Sequence, residues 1–192
     1  GEELLSIDSR TDPALQRFLG NVRDQIKAQT GTKDKVALAS KLIAEACGGT
    51  DAESRWSKHF EALHTEPPDV LLIGALLGTA GLCRHRALLL KYILDKLAVC
   101  PSAVLDGVVV ANGEVDIASL RGRGIAVNHM WNFVVLDQPF LCDLMHVPGE
   151  LRSIDDLQQL GVCYHRPGGR TGMLSLGDVE KAMLLDGESA VE

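Results

Sequence analysis

The apolar residues of this chain change their spacing once, near Pro101, and no other sequence feature constrains the fold as strongly. Before Pro101 they recur three and four positions apart, which is typical of amphipathic helices. After it, β-branched and apolar residues gather in short segments at 104–111, 127–136 and 140–144, with turn residues between them. Short strands joined in this way pair as antiparallel neighbours. We therefore predict an α+β fold with a helical amino-terminal part and an antiparallel sheet.

Three segments in the first third of the chain carry helix signals. Asp12-Pro13 is a capping residue followed by a first-turn proline, and apolar residues then recur at helical spacing. A second helix is predicted from Thr32 to Gly48-Gly49, because glycine readily takes the left-handed conformation that ends helices. A third, short helix is predicted across 56–63. The apolar run at 70–73 follows two prolines and is compatible with a buried strand or a turn.

The length of 192 residues and the hydrophobic content of 46% suit one domain, since two domains would both be near the lower size limit. We predict a helical part over 1–66, a catalytic core over 67–151, and a carboxy-terminal loop and short helix over 152–192. Within the core, 83–97 has a wide apolar face without glycine or proline. This segment is predicted to be a buried helix that packs on the sheet.

Charge and hydropathy exclude two classes of partner. The net charge of −7 opposes the attraction to phosphates that drives nucleic-acid binding. The longest apolar stretch, 70–82, is broken by glycines and is shorter than the roughly 20 residues that cross a bilayer. We therefore predict a soluble protein that binds no nucleic acid and has no membrane span.

The cysteines are odd in number and show no paired CxxC spacing, which disfavours both a disulfide framework and a zinc site. A reducing compartment is the simpler interpretation. We predict a cytoplasmic protein, or one that is delivered into the cytosol of a host cell. The five cysteines are Cys47, Cys83, Cys100, Cys142 and Cys163.

Cys83 is the cysteine best placed for chemistry, because it begins the predicted buried helix. A helix amino terminus presents unpaired N–H groups and a positive dipole end, which lower the pKa of a nearby thiol. The same N–H groups stabilise an oxyanion when the sulfur attacks a carbonyl. A free cysteine at the start of a buried helix is also compatible with simple packing. The choice therefore depends on which other residues are near.

His129 and Asp143 supply the remaining parts of a catalytic triad. Strand alternation sends His129 and Trp131 to one face of their segment. Asp143 is placed in the next predicted strand, where a carboxylate among apolar residues needs a partner that offsets its desolvation. Cys83, His129 and Asp143 thus provide a nucleophile, a base and a group that orients the base.

Other residues near these positions are assigned either to the cleft or to the start of the helix. Gly81 is predicted to allow close approach of a substrate, and Trp131 and His146 to line the cleft. His85 is two positions from Cys83 on the helix and therefore points to a different face. Cations near a helix amino terminus are unfavourable unless carboxylates or a substrate compensate, so Arg84 and Arg86 are predicted to form structural salt bridges. No paired-ligand spacing or phosphate-binding loop is present, and we predict neither a metal nor a cofactor.

The motifs Gly81-Leu82-Cys83 and His129-Met130-Trp131, followed by Asp143, resemble those of the transglutaminase-like, papain-related superfamily. More narrowly, 83–91 and 143–151 are similar to the domain found amino-terminal to the kinase in plant ethylene-response and disease-resistance kinases. The resemblance covers 70–151. It implies a papain-like or transglutaminase-like fold, in which a nucleophile-bearing helix packs on an antiparallel sheet.

The resemblance also implies cysteine chemistry on amides, as in a thiol protease, a deamidase or a transglutaminase. Many plant kinase domains of this type lack a complete triad, whereas this chain has all three residues, which favours an active enzyme on a protein substrate. Two alternatives stay open. One is an inactive protein-binding or kinase-regulatory module with the same fold. The other is a redox sensor in which Cys142 or Cys100 resolves an oxidised Cys83.

Overall fold

The computed structural model describes residues 4–49, 70–111, 129–145, 147–153, 156 and 162–165. Three predicted features lie outside these residues: the short helices over 56–63 and 176–185, and the turn after strand 104–111. His146 also lies outside them. The described part contains helices and antiparallel strands, which confirms the α+β class.

The described helices begin where the sequence predicts. They are α1 (Pro13–Ile26), α2 (Thr32–Ala46) and α3 (Cys83–Lys96). Asp12 caps α1, because its Oδ1 accepts hydrogen bonds from the N–H groups of Ala14 and Leu15 at 3.1 and 3.0 Å. The chain leaves α2 through Gly48 and Gly49, whose φ angles of 92° and 62° suit glycine. Within the described residues, no helix has the length and apolar character that crossing a bilayer requires.

Five strands form the main sheet, and every neighbouring pair is antiparallel. Their order across the sheet is β6 (Arg152–Ser153), β5 (Pro139–Cys142), β4 (His129–Val135), β3 (Ser102–Ala111) and β7 (Val162–His165). Residues 70–73, predicted as strand or turn, contribute a two-residue strand and the start of a 3-10 helix over Ile73–Leu76. That strand pairs in parallel with a short strand near the amino terminus. These two short strands are β1 (Leu5–Ser6) and β2 (Leu71–Leu72).

Helix α3 packs between the sheet and the other helices. Four of its leucine and isoleucine side chains are fully buried together with residues of α1 and α2, and full burial of each stabilises the fold by about 2 kcal/mol. On the sheet side, Asn132 of β4 donates from Nδ2 to the carbonyl oxygen of Ala87 at 2.9 Å. This bond fixes α3 against β4 close to the helix start. The buried α3 residues in this core are Leu89, Leu90, Ile93 and Leu94.

Asp143 does not belong to a strand, and that part of the prediction is wrong. Strand β5 ends at Cys142, which pairs with Asn132. Asp143 instead begins a turn. Its Oδ1 accepts a hydrogen bond from the N–H of Met145 at 2.9 Å, and its carbonyl oxygen accepts one from the N–H of Val147 at 3.2 Å. Asp side chains commonly bind the backbone two residues further on, which competes with strand pairing.

Candidate active site

Cys83 is the first residue of α3, as predicted. The preceding residue, Leu82, is extended, and its N–H donates to Nδ1 of His85 at 3.0 Å. The Nδ1 atom of His85 therefore caps the start of α3 and is occupied by this hydrogen bond. The thiol of Cys83 is partly accessible, whereas the side chain of His85 is buried.

The sulfur of Cys83 lies against the start of β4. It accepts hydrogen bonds from the backbone N–H groups of Met130 in β4 and of Arg84 in its own helix. The neighbouring strand, β5, stops opposite Asn132 and does not reach Met130. Strand β5 therefore does not cover the start of β4, and the start of α3 lies there instead. This arrangement places the thiol of Cys83 next to His129.

His129 connects Cys83 to Asp143. Its Nε2 lies 2.7 Å from Oδ2 of Asp143, and its ring also forms a hydrogen bond with Cys83. Because Nε2 faces the carboxylate, we infer that Nδ1 faces the sulfur. Asp143 has no exposed surface, and its second oxygen is held by the N–H of Met145. The structure thus brings the three residues together in the order thiol, imidazole, carboxylate.

The electrostatics of this cluster favour a thiolate beside an imidazolium. Burial opposes the charged ring of His129, but the hydrogen bonds with Asp143 and Cys83 outweigh it and raise its pKa to about 9. Burial likewise opposes the Cys83 thiolate, but the hydrogen bonds from His129 and from the N–H of Met130 prevail and lower the thiol pKa below its usual value. At neutral pH each group supports the charge on the other.

The other described cysteines have the opposite character. Burial raises the pKa of Cys47 and of Cys100 to about 11, and that of Cys142 to about 12. All of them are free thiols, as is Cys83. Among the four cysteines whose side chains the structure describes, Cys83 is the one whose pKa is lowered.

Two predicted cleft residues are buried in the structure. A Cβ added at Gly81 would lie 3.0 Å from both Cβ and Sγ of Cys47, so glycine lets the chain pass close to the end of α2 just before Cys83. Trp131 has no exposed surface, and its ring stacks on that of His129 with centroids 5.9 Å apart. Both residues support the site from inside, and contact with a substrate stays a prediction for them.

Arg86 forms no salt bridge with any of the described residues, so its predicted salt bridge stays a prediction. Its buried guanidinium instead donates four hydrogen bonds to backbone carbonyl oxygens. The sequence signal was a cation on the apolar helix three residues after Cys83, where both side chains share a face. From the sequence alone, this cation was expected to be compensated by a carboxylate or a substrate.

No group of three or more possible metal ligands occurs among the residues that the structure describes. A thiol, an imidazole and a carboxylate in sequence are the parts that acyl transfer requires.

The described residues form an α+β domain in which Cys83, His129 and Asp143 lie next to one another. A family model described as "EDR1/CTR1/ARMC3, peptidase-like" matches residues 1–152, and the chain belongs to this family. The chain is also 31% identical over 161 residues to the serine/threonine-protein kinase CTR1 of Arabidopsis thaliana, which covers 81% of this chain. It spans only 18% of that kinase. No solved structure matches it.

Proposed function

We propose that this domain is a thiol acyl-transfer enzyme with a papain-like or transglutaminase-like arrangement, acting on amide bonds of a protein substrate. One observation supports this more than any other. The thiol with the lowered pKa stands at a helix start and shares a hydrogen bond with an imidazole that a buried carboxylate holds. A packing cysteine has no need of either partner.

In the proposed reaction, His129 takes the proton of Cys83, and the thiolate attacks the amide carbonyl carbon. A C–S bond forms while the carbonyl electron pair moves to oxygen. The oxyanion then collapses, the C–N bond breaks, and the imidazolium of His129 gives its proton to the departing amine. Water or another amine attacks the thioester carbon while His129 accepts its proton. The C–S bond then breaks, the acid or the new amide is released, and the imidazolium of His129 returns the proton to the sulfur.

The protein supplies the other requirements of this reaction from its backbone and its interior. The start of α3 offers the N–H of Cys83 and a positive dipole end to the oxyanion. Asp143 stabilises the imidazolium and fixes the ring, because its second oxygen is anchored to Met145. Hydrolysis of a peptide or isopeptide, deamidation and transamidation differ only in the amine that leaves and the nucleophile that resolves the thioester.

A second candidate function is a protein-binding module that regulates a kinase and performs no chemistry. The similarity to a region of a kinase favours it. In that case Cys83, His129 and Asp143 would stabilise the fold, and a partner would bind elsewhere. We also propose that residues 1–192 form one domain that works in a reducing compartment such as the cytosol, which the four free thiols support.

An active ester separates the two functions without knowledge of the substrate. We expect p-nitrophenyl acetate to release a burst of nitrophenol, with one acetyl group on Cys83 that intact-mass and peptide analysis detect and hydroxylamine removes. Cys83→Ala should abolish the burst and keep the fold. Cys100→Ala, which removes a half-buried thiol of raised pKa, is the matched control and should keep it. A burst that survives in Cys83→Ala, or no acetyl-enzyme in the wild type, would leave the binding module as the function.

A further inference from the structure

We propose that Arg86 is a positioning residue of the candidate active site: its guanidinium ties together the segments that carry Cys83 and Asp143, and its charge favours the thiolate. This inference rests on the proposed function, because it assigns Arg86 a part in preparing Cys83 for attack. It concerns a residue that touches neither the substrate nor the reacting atoms.

The hydrogen bonds of Arg86 reach three separate segments around the site. Nε donates to the carbonyl oxygen of Gly81 at 2.7 Å, two residues before Cys83. Nη1 donates to that of Leu144 at 2.9 Å, one residue after Asp143. Nη2 donates to those of Cys47 and Gly49 at 2.9 and 2.6 Å, at the end of α2. One side chain thus fixes the backbone just before Cys83 and just after Asp143.

A lysine would not serve in the same way. The planar guanidinium presents five N–H groups in fixed directions. Arg86 makes four hydrogen bonds with them here. An ammonium group has three donors on a flexible stem and reaches fewer of these oxygens. Lysine at this position would therefore keep the charge while losing part of the positioning, which allows the two roles to be measured separately.

The charge of Arg86 is costly at this place, and the cost needs an explanation. The side chain is 1% exposed, and it lies near the positive end of the α3 dipole. Burial lowers the pKa of Arg86, while the possible negative charges of Cys47, Cys83 and Asp143 oppose that effect. These are the titratable groups that face it, from the end of α2, from α3 and from the turn after β5. Since the attraction is mutual, the cation adds to the contributions that His129 and the N–H of Met130 make to the Cys83 thiolate.

The test compares Arg86→Gln, which removes the charge, with Arg86→Lys, which keeps it. The readout is the rate at which iodoacetamide labels Cys83 between pH 5 and 10, followed by peptide mapping. We expect Arg86→Gln to label more slowly than wild type at pH 6.5, because its Cys83 should titrate at a higher pH. Arg86→Lys should keep a midpoint near that of wild type despite a lower melting temperature. The control is Arg23→Gln, an exposed residue of α1, which should change neither.

Three results distinguish the outcomes. If wild-type Cys83 labels no faster than in the denatured chain, the proposed function fails. If wild type labels fast and the folded Arg86→Gln variant labels equally fast, only the role of Arg86 is overturned. The same holds if Arg86→Lys and Arg86→Gln raise the labelling midpoint of Cys83 equally. Should neither variant fold, ¹⁵N NMR of the wild type decides: the Arg86 Nε–H signal should shift with the midpoint of Cys83 and not in Cys83→Ser. A signal that does not shift overturns the proposal.

Discussion

Asp143→Asn tests how the buried carboxylate controls the imidazole. Asparagine has nearly the same shape, so it can still accept from the N–H of Met145 while removing the negative charge 2.7 Å from Nε2 of His129. Burial of His129 is then opposed mainly by its interaction with Cys83. We expect the pKa of His129 to fall toward or below its ordinary value and that of Cys83 to rise, because the imidazolium no longer supports the thiolate.

The size of the effect follows from the shift of His129. A rise in its pKa from 6.5 to about 9 corresponds to about 3 kcal/mol in favour of the imidazolium in the folded state. The hydrogen bond with Asp143 is the largest of the favourable contributions, so at least about 1.4 kcal/mol should be lost, which is one pH unit in the midpoint. A raised folded pKa stabilises the fold fully below pH 6.5, and this stabilisation is lost as the pH rises through about 9. The part of the destabilisation that comes from His129 should therefore be greatest in acid.

The measurement is an NMR titration of the His129 Cε1–H signal from pH 5 to 10, together with urea unfolding at pH 6 and pH 9.5. Asp137→Asn is the matched control, since it makes the same change at an exposed position in the turn before β5. It should move neither the titration midpoint nor its pH dependence. If Asp143→Asn leaves the midpoint of His129 within about 0.3 pH units of wild type, the reasoning about this pair is refuted.

Two further substitutions test how the site is supported. Gly81→Ala would place Cβ 3.0 Å from Cβ and Sγ of Cys47, so we expect a loss of about 1–3 kcal/mol in urea unfolding and a slower labelling of Cys83. Gly20→Ala, in an open position of α1, is its control and should stabilise by about 0.5–1 kcal/mol; equal effects would contradict the packing argument. Asp12→Ala removes the α1 cap and the bond to the N–H of Gly74 at 2.7 Å. It should lower the unfolding free energy by at least about 1–2 kcal/mol, and a change below 0.5 kcal/mol would be inconsistent with this role.

The fold class and the helix starts were predictable because their signals are local. A capping aspartate before proline defines the start of α1, and the glycines after α2 define its end. The start of α3 at Cys83 followed from an apolar face that has no glycine or proline within it. The end of β5 was not predictable, because Asp143 leaves the strand to bind the backbone of Met145, a choice that depends on the particular turn.

The sequence predicted which three residues form the candidate site. It did not predict the contacts that hold them in place. Sequence placed a thiol, an imidazole and a carboxylate on neighbouring elements, and the structure brings Cys83, His129 and Asp143 together. It could not show that Gly81 packs against Cys47 or that Arg86 donates to four carbonyl groups. Those contacts join residues up to 58 positions apart, and backbone acceptors carry no sequence signal.

The central claim, that Cys83 is an activated nucleophile, is tested most directly by its own ionisation. Iodoacetamide reacts with the thiolate, so the labelling rate of Cys83 against pH, in the native protein and in urea, measures its pKa. A lowered pKa keeps the thiolate populated as the pH falls below 8.5, and labelling should decline only as the pH falls through the folded-state value. We predict that the labelling midpoint of Cys83 in the native protein lies below its midpoint in urea. A native midpoint equal to or above the denatured one would contradict it.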